Sequence, residues 1–148
     1  MSGYSIVTVE ARHTAVVKAT VPFAELGSFE RAACARIGQA LSRLRIEPAG
    51  ERFTLCRSAK GGLYIEPGVI VAATFASDGD VVPSQLPAGR AVRHVLVGPF
   101  DRLAQAWPAL FSWCTGEGLS REGTFWQVYG PNAADPSQQQ TTLYALLA

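Results

Sequence analysis

GRAVRHVLVGPFDRLAQAWPALFSWCTGEGLSREGTFWQVY, residues Gly89 to Tyr129, is the stretch from which the fold is read. It opens on a strand (RAVRHVLV), turns at Gly98-Pro99-Phe100 and continues as a helix from Leu103 to Thr115. A second strand, Thr124 to Tyr129, closes it. The N-terminal half reads as a weaker copy. A shift of 77 positions lays Pro22-Phe23 on Pro99-Phe100 and Leu26 on Leu103. A shift of 73 lays Gly50 on Gly123, Ile46 on Leu119 and ERFTLC on TFWQVY, as an insertion between helix and strand would leave it. Two such units in tandem imply a pseudo-symmetric sheet with a seam between its halves, and ligand sites favour such seams.

The totals narrow the class. A chain of 148 residues is most simply one domain, 1–148, with pseudo-repeats at about 4–76 and 80–148. Net charge is +1 and the basic residues are scattered, so no stripe addresses nucleic acid directly. MSGYSIVTVEA has no basic n-region and no long apolar run, which argues against a signal peptide. Nothing approaches the roughly 20 apolar residues of a membrane span. Cys34, Cys56 and Cys114 are odd in number and lack CxxC spacing, so reduced thiols in a cytoplasm are expected, without a disulfide framework or zinc site.

Outside the opening stretch, residues Val7 to Val21 alternate apolar and polar, which predicts a long strand with a bend near Arg12 to Thr14. Ser28 is placed to cap a first helix whose apolar stripe is Phe29, Ala33, Ile37, Leu41 and Leu44. Phe53 to Arg57 reads as a strand and Lys60-Gly61-Gly62 as a hairpin or loop. Gly68 to Phe75 reads as a central strand, and Ser77 to Gly89 as the linker between repeats. Pro108 falls inside the second helix, either in its first turn or at a kink. Gly130 to Gln140 is a polar loop, and Thr141 to Leu147 is the closing strand. The expected order is βαββ-βαββ, with about six strands and two helices.

The chain resembles the GyrI-like small-molecule-binding family, which includes gyrase-inhibitory proteins and the effector-binding domains of AraC-type and MerR-type regulators. The residues that carry the likeness are the RH…GPF turn (Arg93, His94, Gly98, Pro99, Phe100), then AWPALFSWCTGEGL, FWQVYG, Asp135-Pro136 and TTLYALL. The resemblance implies an α+β fold of two strand-helix-strand-strand modules. These would form a pseudo-symmetric, mostly antiparallel sheet with two helices on one face and a ligand cleft on the other. With no DNA-reading module before the first strand, stand-alone members are the closer comparison. They bind or detoxify small molecules or contact partner proteins, and some are similar to hydrolases that open cyclopropane rings with cleft glutamates. The family pattern carries glutamates where this chain has Gln127 and Thr142. Glutamine neither attracts a cation nor takes up a proton at neutral pH.

Alternation along the two strands puts Gln127 and Tyr129 on one face with Phe125, and Thr142 and Tyr144 on one face of the last strand. If the helices cover the Trp126 side, all four line the cleft opposite, a pocket suited to planar ligands. Phe23 and Phe100, in the equivalent turns, would cap its ends, and Thr54 is the repeat mate of Gln127. Trp107 and Trp113 are expected in the helix–sheet core, His13 and His94 as core or edge histidines, and Glu66 in a surface loop. No catalytic, cofactor-binding or metal-ligating constellation rises above background. The expected ligand is a small, apolar or aromatic, neutral or weakly polar molecule. The enzymatic alternative is a detoxifying hydrolase using Glu66 or Tyr129; the interaction alternative is a partner of gyrase or of a transcription regulator. Monomer and homodimer both stay open.

Overall fold

Exchanged edge strands define how this chain is built. The structure is a computed structural model and describes residues 3–148. In chain order the elements are β1 (Tyr4–Val9), β2 (Arg12–Val17), β3 (Ala19–Pro22), α1 (Leu26–Leu44), β4 (Arg52–Ala59), β5 (Gly62–Ile70) and β6 (Val81–Leu86). There follow β7 (Gly89–Val97), α2 (Leu103–Gly116), β8 (Arg121–Tyr129) and β9 (Gln140–Leu147). The class is α+β. Packing divides the chain into two units: Glu10–Pro87, and the start through Val9 together with Ala88–Ala148.

In the Glu10–Pro87 unit the strand order is β4-β5-β2-β6, with β3 also on β5, all antiparallel. In the other unit the order is β8-β9-β7-β1, again antiparallel. The two orders correspond strand for strand, with β6 and β1 as the matching edges. Yet β1 precedes β2 in the chain and pairs with β7, while β6 precedes β7 and pairs with β2. Each sequence repeat therefore lends its first strand to the other's unit.

The entry into each helix repeats closely. Pro22 leads a 3₁₀ turn at Phe23–Glu25 and then α1 from Leu26; Pro99 leads one at Phe100–Arg102 and then α2 from Leu103. Proline fixes its own φ and cannot extend a ladder, so it ends the strand and starts the turn. Ser28 is not the cap. It lies inside α1, and its hydroxyl donates to the Glu25 carbonyl at 3.1 Å. The apolar stripe of α1 is as expected: Ala33, Ile37, Ala40 and Leu41 close on Ala15, Val17, Val69, Val71 and Val81. In α2, Leu110 and Cys114 are buried and Pro108 sits within the helix.

Three expectations about the N-terminal half are corrected. The single long strand is broken into β1, β2 and β3, since Glu10-Ala11 and Lys18 leave the ladder. The expected strand at Gly68–Phe75 is instead β5, which ends at Ile70. The segment read as a linker contains β6. Pro83 disguised that strand, but an edge strand tolerates a missing N–H. Nine strands are found among the described residues where about six were expected. The Lys60-Gly61-Gly62 hairpin is present, with Gly61 at φ +78°.

Candidate ligand-binding site

Strand β8 presents Phe125, Gln127 and Tyr129 to one side and Trp126 and Val128 to the other. The helix lies over the Phe125 side. Trp107 of α2 is 4.8 Å from Phe125, centroid to centroid, and Phe111 is 5.3 Å from it. Arg121 lies over the Phe111 ring at 3.9 Å. The Trp107 indole N–H donates to Gln127 Oε1 at 2.9 Å, and Gln127 Nε2 donates to Tyr129 Oη at 2.9 Å. Tyr129 meets Phe100 edge-on at 6.0 Å. Phe100, Tyr129, Gln127 and Trp107 thus form one connected row on the helix side.

The face assignment made from sequence is overturned here. Register pairs Gln127 with Leu143, Trp126 with Tyr144 and Val128 with Thr142. Gln127 and Tyr129 therefore share the helix side, and Thr142 and Tyr144 look out from the other. The error came from the premise that α2 covers Trp126; Trp107 and Phe111 reach Phe125 instead. On the helix-free face, Trp126 and Tyr144 stack with rings 13° apart and centroids at 5.2 Å. Trp126 is buried, while Tyr144 and Thr142 are half-buried. Register extends this row to Arg93 of β7, opposite Tyr144. Sequence reasoning named Arg93 only as part of a turn motif. Its place beside Tyr144 needs the β7–β9 register, which alternation alone does not supply.

In the Glu10–Pro87 unit, Phe23 is 64% exposed, against 49% for its counterpart Phe100. Thr54 is 1% exposed and hydrogen-bonded or otherwise engaged. Glu66 is no surface-loop residue: it lies on β5 and is 6% exposed. The Tyr64 hydroxyl donates to one of its oxygens at 2.6 Å and the Ser84 hydroxyl to the other at 2.7 Å. Burial first, then the bond to Glu66 and the charge of its carboxylate, push the Tyr64 phenol up to about 12, with Arg57 pulling the other way. His94 reads as expected: Nδ1 lies 2.9 Å from the Gly3 carbonyl, and the ring lies beside Tyr4. Trp113 stacks on Tyr4 at 5.0 Å.

The site is thus an aromatic layer on an α+β fold, and no group of three or more metal-ligating side chains occurs among the described residues. The chain belongs to the GyrI-like family, whose small-molecule-binding domain matches residues 3–147. No curated protein matches the sequence. Among solved structures, the chain superposes on EcmrR in an EcmrR–DNA complex with TM-score 0.85 at 18% identity. It covers 99% of this chain but 58% of that one. The EcmrR C-terminal domain alone gives TM-score 0.80 at 17% identity, covering 98% of this chain and 96% of that one. SAV2435, solved bound to tetraphenylphosphonium, gives 0.74 at 11% identity, covering 98% and 93%. No helix among the described residues is long and apolar enough to cross a membrane.

Proposed function

We propose that this chain binds a small, effector-like or drug-like aromatic molecule, neutral or weakly polar, against the helix-free face of its C-terminal unit. The observation that carries the reading is the Trp126–Tyr144 stack. A buried indole fixes a half-buried phenol ring flat, and Thr142, two residues back on the same face, adds a hydroxyl at the rim. A planar ligand laid on Tyr144 gains stacking without ordering the ring first. The domain family supports a small-molecule ligand.

The remaining residues support this platform from behind. Gln127 spends both amide atoms inside the unit, on Trp107 and Tyr129, so it fixes the row under α2 and brings no charge to the position. Phe100 ends that row on the helix side, 49% exposed, so it belongs to the support and not to the platform; its repeat mate Phe23 is exposed in the other unit. Glu66 has each oxygen held by a hydroxyl, an arrangement that favours a structural acceptor over the free acid a hydrolase would need.

Tryptophan fluorescence tests the reading, because Trp126 lies under the proposed contact. The parent and Tyr144→Ala are titrated with 2-naphthamide and with the cation of similar shape, 2-naphthylmethylammonium. The parent should bind the neutral probe more tightly, and Tyr144→Ala should lose most of that affinity at an unchanged unfolding midpoint. Equal affinity in parent and variant refutes the site.

A further inference from the structure

The row that carries the aromatic platform also carries a cation. Register pairs Ser5 with Arg93, Arg93 with Tyr144, and Tyr144 with Trp126, so all four side chains stand on the helix-free face of β1, β7, β9 and β8. Directly opposite residues on one face hold their Cβ atoms about 4.5–5.5 Å apart, which places the base of the Arg93 side chain beside the Tyr144 ring. On β1, β7 and β9 this face otherwise carries uncharged residues, Val7, Ala91, Val95, Gln140, Thr142 and Leu146 among them. Arg93 is the one charged side chain that register puts there.

Arg93 is half-buried, yet its side chain makes no hydrogen bond, ion pair or ring contact with a described residue. Other arginines of the protein are engaged: Arg36 with Asp80, Arg43 with Asp78, and Arg121 over Phe111. A guanidinium keeps its charge at any ordinary pH and offers a planar fork of donors that matches a carboxylate in two parallel bonds. Partly out of water, with no ion pair to a described residue, Arg93 has a strong available partner in an anion brought from outside.

We propose that Arg93, Tyr144 and Thr142 form a recognition site for an aromatic carboxylate. The ring lies on Tyr144, the carboxylate is held by the Arg93 guanidinium, and the Thr142 hydroxyl supplies a further polar contact at the rim. This rests on the aromatic platform of the proposed function and goes beyond it, replacing a neutral ligand with an anionic one. It also accounts for the side chain at Thr142: a carboxylate there would repel the ligand that Arg93 attracts.

The test uses 2-naphthoate and its neutral isostere 2-naphthamide at pH 7.5, titrated calorimetrically into the parent, Arg93→Gln and Arg93→Lys. The parent should favour naphthoate by about tenfold, as a charge-assisted bidentate contact provides. In Arg93→Gln that ratio should fall to about one while naphthamide affinity stays as in the parent. Arg93→Lys, which keeps the charge without the fork, should retain part of the preference. Should Arg93→Gln fail to fold, the parent alone decides by salt: raising ionic strength should weaken naphthoate and leave naphthamide unchanged. Naphthamide binding as tightly as naphthoate, or a ratio unchanged in Arg93→Gln, overturns the carboxylate site and leaves the aromatic platform standing. Binding of neither probe overturns both.

Discussion

The Trp107 indole and the Gln127 side chain are joined by a 2.9 Å hydrogen bond that ties α2 to β8. The same amide reaches Tyr129 through its nitrogen, so one residue holds an aromatic ring on each side. Gln127→Leu should therefore act on stability before it acts on binding. It strands an indole N–H in a half-buried setting, a loss of about 1–2 kcal/mol, measurable by urea unfolding.

Gln127→Glu should behave differently. A carboxylate can accept from both Trp107 and Tyr129, which keeps the geometry, but it adds a negative charge to the unit. Cationic aromatics should gain by about 1–3 kcal/mol relative to neutral ones if the new charge is within reach of the ligand. Paired titrations of parent and variant with 2-naphthamide and 2-naphthylmethylammonium read the shift. An unchanged preference would show that the helix-side row stays sealed from the ligand.

Trp107→Ala removes a ring packed on Phe125 and Phe111 together with the indole N–H that donates to Gln127. It should cost on the order of 3–5 kcal/mol, whereas Phe100→Ala, half-exposed at the end of the row, should leave the unfolding midpoint almost unchanged. Thermal melts of the two variants should separate by several degrees. Coincident melts would place Trp107 outside the core.

Gly68→Ala should be among the most damaging single changes. A Cβ there would overlap the Ala15 carbonyl oxygen and stand 2.6 Å from Val16 Cγ1, so β2 and β5 would have to part. Expected losses exceed the roughly 1–3 kcal/mol of ordinary overpacking. Gly38→Ala, which meets nothing within 4 Å, should instead be neutral or stabilising by up to about 1 kcal/mol. Soluble yield and melting of the pair provide the comparison.

The phenol of Tyr64 supplies a pH signature. Its folded pKa, about 12, lies above the ordinary phenol value of about 10, so the folded state holds the proton more tightly. The resulting stability is present below pH 10 and is lost as pH rises from about 10 to about 12. Tyr64→Phe should lack this component. Urea midpoints at pH 8 and pH 11 should fall further for the parent than for the variant. The Cys56 thiol, also held at about 12 mainly by burial, is common to both proteins and drops out of the comparison.

What was legible in the sequence follows the range of the forces involved. Helical spacing marked Ala33, Ile37 and Leu41 because one helix face is decided within a few turns. The Pro22-Phe23 and Pro99-Phe100 equivalence survived because a proline turn is local chemistry. The side of β8 that meets α2 was not local. Alternation separated Gln127 from Trp126 correctly, but only the packing of Trp107 and Phe111 decides which set is covered. Glu66 was misread for a related reason. Its partners, Tyr64 and Ser84, come from its own strand and from a strand hidden by Pro83, so the sequence showed a carboxylate beside Pro67 and nothing to bury it.

The traded edge strands, β1 on β7 and β6 on β2, have a consequence for the chain's history and for its dissection. A solitary ancestral repeat of this kind would leave its own β-edge bare and could complete itself only by reciprocal donation between two copies. The present chain then reads as such a donated pair made permanent by fusion. Severed in the segment between Ile70 and Val81, it should yield two fragments that are each deficient alone yet reconstitute when mixed. A cut chosen to follow the compact units would have to open the backbone twice, after Val9 and after Pro87.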